Sequence, residues 1–216
     1  IPSQMFNAID SVPLTAIAFF MLTGELMTSA TITDRLVALS RALIGRIRGG
    51  LAQVNVLVSM FFAGLNGSVV ADTATVGALV LPAMKKAGYP AAFSAAVTGV
   101  SSTIGGIIPP SIMMIVLANS TEISIAALFA AGIIPGVLIG VVIMIINHYF
   151  AIKYNFERSD EPFSIRRAGR ELYRSSFALL IPLVLVGSVM GGVASVVEAG
   201  AITAMVALLT GVFVYR

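Results

Sequence analysis

The chain has 216 residues, 58% of them hydrophobic and only 11% charged, with 13 basic residues against 10 acidic ones and a mean hydropathy of +1.00. A water-soluble domain carries nearer a quarter of its residues as charges, so this composition excludes an ordinary soluble fold and fits a chain solvated by a bilayer. The absence of cysteine and the single histidine, His148, remove disulfide frameworks, thiolate metal sites, cysteine nucleophiles and a His-based metal cluster or proton relay.

In chain order, residues 5–29 predict a transmembrane helix that ends before a basic group of Arg35, Arg41, Arg46 and Arg48. Residues 31–48 place Ile32, Leu36, Leu39, Leu43 and Ile47 at three- and four-residue steps with arginines between, which predicts an amphipathic interfacial arm helix. Residues 50–86 begin and end beside basic residues, Arg48 and the pair Lys85-Lys86. Their two apolar stretches, 51–65 and 72–84, each fall short of the ~20 residues a straight span needs, and Asn66-Gly67-Ser68 separates them. They read either as a re-entrant hairpin or as two short full spans joined by an outer turn.

Residues 90–118 are long enough to span, but their centre holds Ser101, Ser102, Thr103, Gly105, Gly106, Pro109 and Pro110. Proline removes a backbone donor and biases the preceding residue away from helix, so a broken transmembrane helix is predicted. Unwound backbone at that depth is tolerated only inside protein or beside a water-filled cavity. The loop Asn119–Ser124 carries Glu122 and no Lys or Arg. Residues 125–152 predict a further transmembrane helix running to Lys153, Arg158, Arg166, Arg167, Arg170 and Arg174. Residues 163–175 predict a second interfacial arm, with Arg166, Arg170 and Arg174 four residues apart and Arg167 placed to pair with Glu171. Such helices orient a protein and attach to anionic headgroups, or link a mobile part to a scaffold. Residues 177–192 and 197–215 are the last two transmembrane helices, returning to Arg216. With this pattern every basic group lands on one side. The positive-inside bias therefore accounts for the net charge of +3 and the pI near 9.5, and nucleic acid is not needed to explain them. The chain opens at Ile1 without a Met and stops at Arg216 after an apolar stretch, so it reads as a piece of a longer protein.

Catalytic chemistry is poorly supplied. Between Arg48 and Lys153 the charged side chains are Asp72, Lys85, Lys86 and Glu122. An aspartyl protease of the membrane needs two facing aspartates, and Asp72 has no sequence partner here. The chain instead concentrates neutral oxygens at its two breaks: Asn66, Gly67 and Ser68 at one, Ser101, Ser102, Thr103 and Gly105 at the other. Carbonyls freed at the end of a half-helix face a cation, and N–H groups at the start of one favour an anion. Neutral ligands suit Na⁺. Asp72 is placed to cap the second hairpin helix and to complement its dipole. Glu25 and Glu198, near span ends, read as structural.

The run from Phe61 to Ala74, FFAGLNGSVVADTA, closely resembles the signature of the large membrane subunit, DctM-type, of TRAP (tripartite ATP-independent periplasmic) transporters. Gly24-Glu25-Leu26-Met27, Arg48-Gly49-Gly50-Leu51-Ala52, Gly88-Tyr89-Pro90, the run Ser101–Ile112 and Gly132-Ile133-Ile134-Pro135-Gly136 agree with it in order. The resemblance implies an all-α integral membrane fold, an inverted-repeat elevator-type transporter of which this chain holds the first repeat and the start of the second. It implies that 50–86 is a re-entrant hairpin partnered by the broken helix 90–118. Na⁺ would be held by Asn66, Gly67, Ser68, Ser102, Thr103 and Gly105, and substrate by Ser68, Ser101, Ser102, Thr103 and Pro109. It departs from the family pattern at Asn66, where the family usually has Ser, at Gly106, where it usually has Pro, and at Ser195-Val196-Val197-Glu198-Ala199, where it tends to read TPTEA.

The function that the resemblance implies is that of a Na⁺-coupled permease of a bacterial inner membrane, importing organic acids such as C4-dicarboxylates or sialic-acid-like sugars. A DctP-type periplasmic binding protein would deliver substrate, and a DctQ-type small membrane subunit would brace the scaffold. The alternatives are a channel-like or structural membrane subunit without ion coupling, and an intramembrane enzyme using Asp72.

Overall fold

The computed structural model describes residues 12–29, 32–44, 47–156 and 164–214. Residues 5–11 of the first expected span, the arm residues 31, 45 and 163, the side chain of Asn66, and Arg46, Arg158, Tyr215 and Arg216 lie outside the described part. Every secondary-structure element within it is helical: α1 (Val12–Ser29), α2 (Ile32–Ile44), α3 (Gly50–Asn66), α4 (Val69–Lys86), α5 (Ala91–Ser102), a 3₁₀ turn (Thr103–Gly106), α6 (Ile112–Thr121), α7 (Ile125–Lys153), α8 (Ile165–Arg174), α9 (Ser176–Met190) and α10 (Val196–Phe213).

Local chemistry sets the helix ends. α3 stops because Gly67 takes the left-handed conformation, φ 58°, and turns its N–H back onto the Ala63 carbonyl, a C-terminal arrangement that glycine adopts without side-chain penalty. Four helices start on a serine whose hydroxyl caps them. Ser68, Ser111, Ser124 and Ser195 each accept, on their hydroxyl, the backbone N–H three residues on, satisfying a donor the helix leaves orphaned. Single prolines do not end helices here: Pro82, Pro135 and Pro182 lie inside α4, α7 and α9. The pair Pro109-Pro110, joined by a cis peptide bond, lies in the non-helical stretch between the 3₁₀ turn and α6.

α3 is the central helix, with α1, α2, α4, α5, α7 and the 3₁₀ turn packed on it. Ala52, Val54, Val56, Val58, Phe62 and Leu65 are buried on all its sides, the pattern of a helix surrounded by others. α7 is two-faced. Ile134, Leu138 and Ile145 are exposed, while Gly132, Gly136 and Gly140 face inward. A methyl group at any of those glycines would run into Ile107 and Met114, Ile108, or Met60 respectively, so their small size lets α7 lie close against the broken segment. A second cluster, including Phe20, Ile115, Phe129, Leu185 and Ala199, ties α1, α6, α7, α9 and α10 together.

By length and composition α7 and α10 are each able to cross a membrane, and α9 reaches the necessary length only together with α8, from which it bends by 61°. α3 and α6 are shorter apolar helices. Three basic groups come to one end of the bundle. Gly49, next to Arg48, lies against Ala151, and the ring of Tyr89, three residues after Lys86, packs at a tilt 4.5 Å from that of Phe156, three residues after Lys153. The two arms differ. α2 buries Ile32, Leu36 and Leu39 but leaves Leu43 exposed, as is Ile47 beyond its end, and α2 is covered by α3 and α8. α8 buries none of its residues. Glu171 on α8 accepts from Arg174, three residues further along, at 3.5 Å.

Candidate functional site

The two interruptions of the chain lie against each other. The Gly67 carbonyl accepts the Ile112 N–H at 3.1 Å. A Cβ on Gly67 would strike the Pro110 carbonyl and crowd Ser111 and Ile112. That close approach, with the positive φ, is why the tip needs glycine. On the other side of the tip, a methyl group on Gly105 would stand 3.8 Å from both the Asp72 Cβ and the Ser68 carbonyl, and one on Gly106 would stand 3.2 Å from Val69. The hairpin tip is thus clasped between the 3₁₀ turn and the start of α6.

Behind the tip is a pocket of oxygens. Asp72 and Ser102 are fully buried. Among the described residues neither carboxylate oxygen of Asp72, nor the Ser102 hydroxyl, has a hydrogen-bond partner, although Ser102 and Ser59 are the hydroxyls that approach the carboxyl. Buried polar groups are nearly always satisfied, and an uncompensated carboxylate in an apolar surrounding is costly. The donor set here, one carboxylate and two hydroxyls beside the backbone carbonyls of a helix end, is chemically suited to a small hard cation.

A hydrogen-bonded seam leads away from this pocket between α3 and α5. The Ser59 hydroxyl donates to Ser101 at 3.3 Å, and Ser101 donates to Asn55 Oδ1 at 3.1 Å. The Asn55 amide donates to Thr98 Oγ1 at 2.7 Å, and Thr98 donates to the Ser94 carbonyl at 2.9 Å. Two more polar side chains of the neighbourhood join α3 to α7: Gln53 donates to the Met144 carbonyl at 2.8 Å and Asn147 to the Ala52 carbonyl at 3.5 Å.

Of the residues expected in a site, Gly67, Ser68, Ser102 and Gly105 converge at the junction, and Asn66 is the last residue of α3. Ser101 is placed in the α3–α5 seam. Thr103 is exposed and donates to the Val100 carbonyl at 2.7 Å. Pro109 is buried; with Phe61, Ile108, Pro182, Leu183 and Met190 it lines an apolar cleft of about 550 Å³. The cap expected of Asp72 is supplied by Ser68, whose hydroxyl accepts the Ala71 N–H at 3.4 Å. Asp72 stands in the first turn of α4 with its carboxyl directed into the bundle. At the start of α10, Ser195 and Glu198 satisfy each other's backbone N–H groups at 3.3 and 2.8 Å, which occupies both side chains of the segment that departs from the family pattern.

Three residues went unnoticed at the level of sequence. Asn55 and Ser59 lie four apart on an apolar helix, and polar side chains so placed in a membrane segment face the bundle interior. Ser111 follows the proline pair at the cap position of the next helix. Its hydroxyl donates to the Gly106 carbonyl at 2.8 Å and accepts the Met114 N–H at 3.4 Å, closing the break on itself.

An all-helical, largely apolar chain of this kind has the character of a multi-pass membrane protein. The chain is a member of the DctM family: the model of the "Tripartite ATP-independent periplasmic transporter, DctM component" matches residues 1–216. It is 38% identical over 214 residues to the sialic acid TRAP transporter permease protein SiaT of Haemophilus influenzae, covering 99% of this chain and 34% of that protein. It is 36% identical over 213 residues to the C4-dicarboxylate TRAP transporter large permease protein DctM of Pseudomonas aeruginosa, covering 99% of this chain and 50% of that protein. To the 2,3-diketo-L-gulonate TRAP transporter large permease protein YiaN of Escherichia coli it is 37% identical over 212 residues, covering 98% and 50%. The chain therefore spans half the length, or less, of these relatives.

Proposed function

We propose that the chain forms the first half of the large permease subunit of a Na⁺-coupled TRAP transporter that imports an organic acid across a bacterial inner membrane. One observation carries the reading: the Asn66–Ser68 and Thr103–Ser111 interruptions meet over a buried Asp72 carboxylate and Ser102 hydroxyl that nothing in the described chain satisfies. A Na⁺ bound there would neutralise Asp72 and take oxygens from Ser102, Ser68 and the carbonyls around Asn66, Gly67 and Gly105. Thr103 and Pro109, on either side of the junction, would then belong to the substrate's approach, and Ser101 to the framework that holds Ser102 in place. The N-terminus of α4 supplies donors for an anion next to the cation. Coupling arises from that adjacency, because a cation that neutralises Asp72 lowers the cost of bringing a negatively charged substrate to the same junction.

The relatives' names, sialic acid, C4-dicarboxylate and 2,3-diketo-L-gulonate permeases, support an organic acid as the substrate class. The large-permease family also implies a small membrane subunit and a periplasmic binding protein as partners, and an elevator-type movement of one inverted repeat pair. The test is uptake by the full-length subunit with those partners in proteoliposomes, over a panel of these three acids, with and without an inward Na⁺ gradient. One acid is expected to accumulate only with the gradient, and to need a higher Na⁺ concentration when Asp72 is replaced by Asn. Uptake indifferent to Na⁺ would remove the coupling and leave a channel-like subunit.

A further inference from the structure

The arm α8 and the outer face of α9 adjoin without a gap. Phe177, Leu180 and Leu183 are exposed and apolar on α9, the surface expected of a helix facing lipid tails. Four residues before Phe177, across the 61° bend, the exposed side chains change to Tyr173, Arg170 and Arg166 at helical three- and four-residue steps, with Leu172 and Ile165 alongside. Ile165 is 81% exposed and Tyr173 82% exposed, and α8 buries no residue of its own. The opposite side of α8 is held to the protein: α8 packs on α2, and Ser175, between α8 and α9, donates its hydroxyl to the Arg35 carbonyl at 3.2 Å.

We propose that the exposed face of α8 is a docking surface for anionic phospholipid headgroups, in which Arg166 and Arg170 meet the phosphates while Ile165, Leu172 and Tyr173 enter the acyl boundary. The position of the face argues for lipid as the occupant. It begins where the lipid-facing apolar surface of α9 stops, which is headgroup depth, and its charge is the complement of an anionic leaflet. Tyrosine at that depth has an apolar ring for the tails and a hydroxyl for water. α2, the other arm, offers less of such a face, because Ile32, Leu36 and Leu39 are already covered. Through the Ser175–Arg35 bond, headgroups held on α8 also fix where α2 lies over α3. The proposal rests on the chain lying in a bilayer and is independent of cation coupling.

The test places the full-length permease with its small subunit in nanodiscs of phosphatidylcholine alone or of phosphatidylcholine mixed with phosphatidylglycerol. An environment-sensitive fluorophore is attached to a Leu172→Cys variant. Emission is expected to shift to the blue and to strengthen in the phosphatidylglycerol discs, and the difference should vanish in high salt, which screens the arginines, and in the Arg166→Gln/Arg170→Gln variant. Equal emission in the two lipids overturns the proposal, as does a lipid difference that survives the double substitution. So does a fluorophore shielded to the same degree in both discs, which would mean that a protein subunit covers the face. If the double variant does not assemble, the salt response of the intact arginines decides alone. A failed lipid response with intact Na⁺-driven uptake would sink this proposal and leave the transport reading standing.

Discussion

Ser68 and Ser195 open their helices in the same way, each lending its hydroxyl to the N–H three residues on, yet the acids that follow them have opposite fates. Glu198 comes three residues after its serine and reaches back to the Ser195 N–H at 2.8 Å, forming a closed capping box. Asp72 comes four residues after its serine. One extra residue turns a side chain by roughly 100° around the helix, which directs Asp72 away from the cap and into the bundle, where its oxygens are left without partners. A shift of one position separates a structural cap from an unsatisfied buried charge. The lesson is that acid type and nearness to a helix start do not distinguish the two; spacing and what packs behind the helix do.

The sharpest break of this comparison is Asp72→Asn. It keeps the shape and removes the charge, so about 2–3 kcal/mol of charge-assisted interaction is lost. That is a rise of roughly 30- to 150-fold in the Na⁺ concentration for half-maximal uptake. Unchanged Na⁺ dependence in this variant would place Asp72 with Glu198 as a structural acid. Next is Gly67→Ala, which puts a side chain into the left-handed region at a cost of about 1–2 kcal/mol and against the Pro110 carbonyl. Both thermal stability in detergent and uptake should fall, and retention of both would mean the tip is not clasped as described.

Ser102→Ala removes one neutral ligand worth about 1 kcal/mol. A rise of about fivefold in Na⁺ half-saturation is expected, with little change in melting temperature. Asn55→Ala inverts that signature. Losing its bonds to Thr98 and Ser101 should cost about 1 kcal/mol of stability, since hydrogen bonds between membrane helices are individually modest, while Na⁺ half-saturation stays put. The smallest effect is expected from Glu198→Ala, a slight drop in melting temperature with uptake and its Na⁺ dependence unchanged. A Na⁺ phenotype at Glu198 would erase the contrast between the two acids.

Much of the local structure is written in short-range chemistry. Gly67 ends α3 because only glycine takes its backbone angles without penalty, and Ser68, Ser111, Ser124 and Ser195 start helices because a hydroxyl there satisfies an orphan donor. The all-helical, membrane character is legible in composition, since 13 basic and 10 acidic side chains cannot hydrate a surface of this size. Proline reads by its context. Pro82, Pro135 and Pro182 stand singly in apolar stretches that read as continuous, and helices run through all three, whereas the pair Pro109-Pro110, after two glycines, falls in the break.

Short stretches of sequence thus settle the helix ends and the inventory of oxygens near them, quantities that depend on a few consecutive residues. Which of those oxygens face each other is settled only in the folded bundle. Packing moved Ser101 into the seam with Asn55, sent Thr103 to its own helix carbonyl, and brought in Ser59 from another helix to stand with Asp72 and Ser102. Facing depends on the rotation and depth of one helix against another. Those are set by side-chain packing over the whole bundle, such as the glycine face of α7 against Ile107, Ile108 and Met60, and no run of neighbouring residues encodes them.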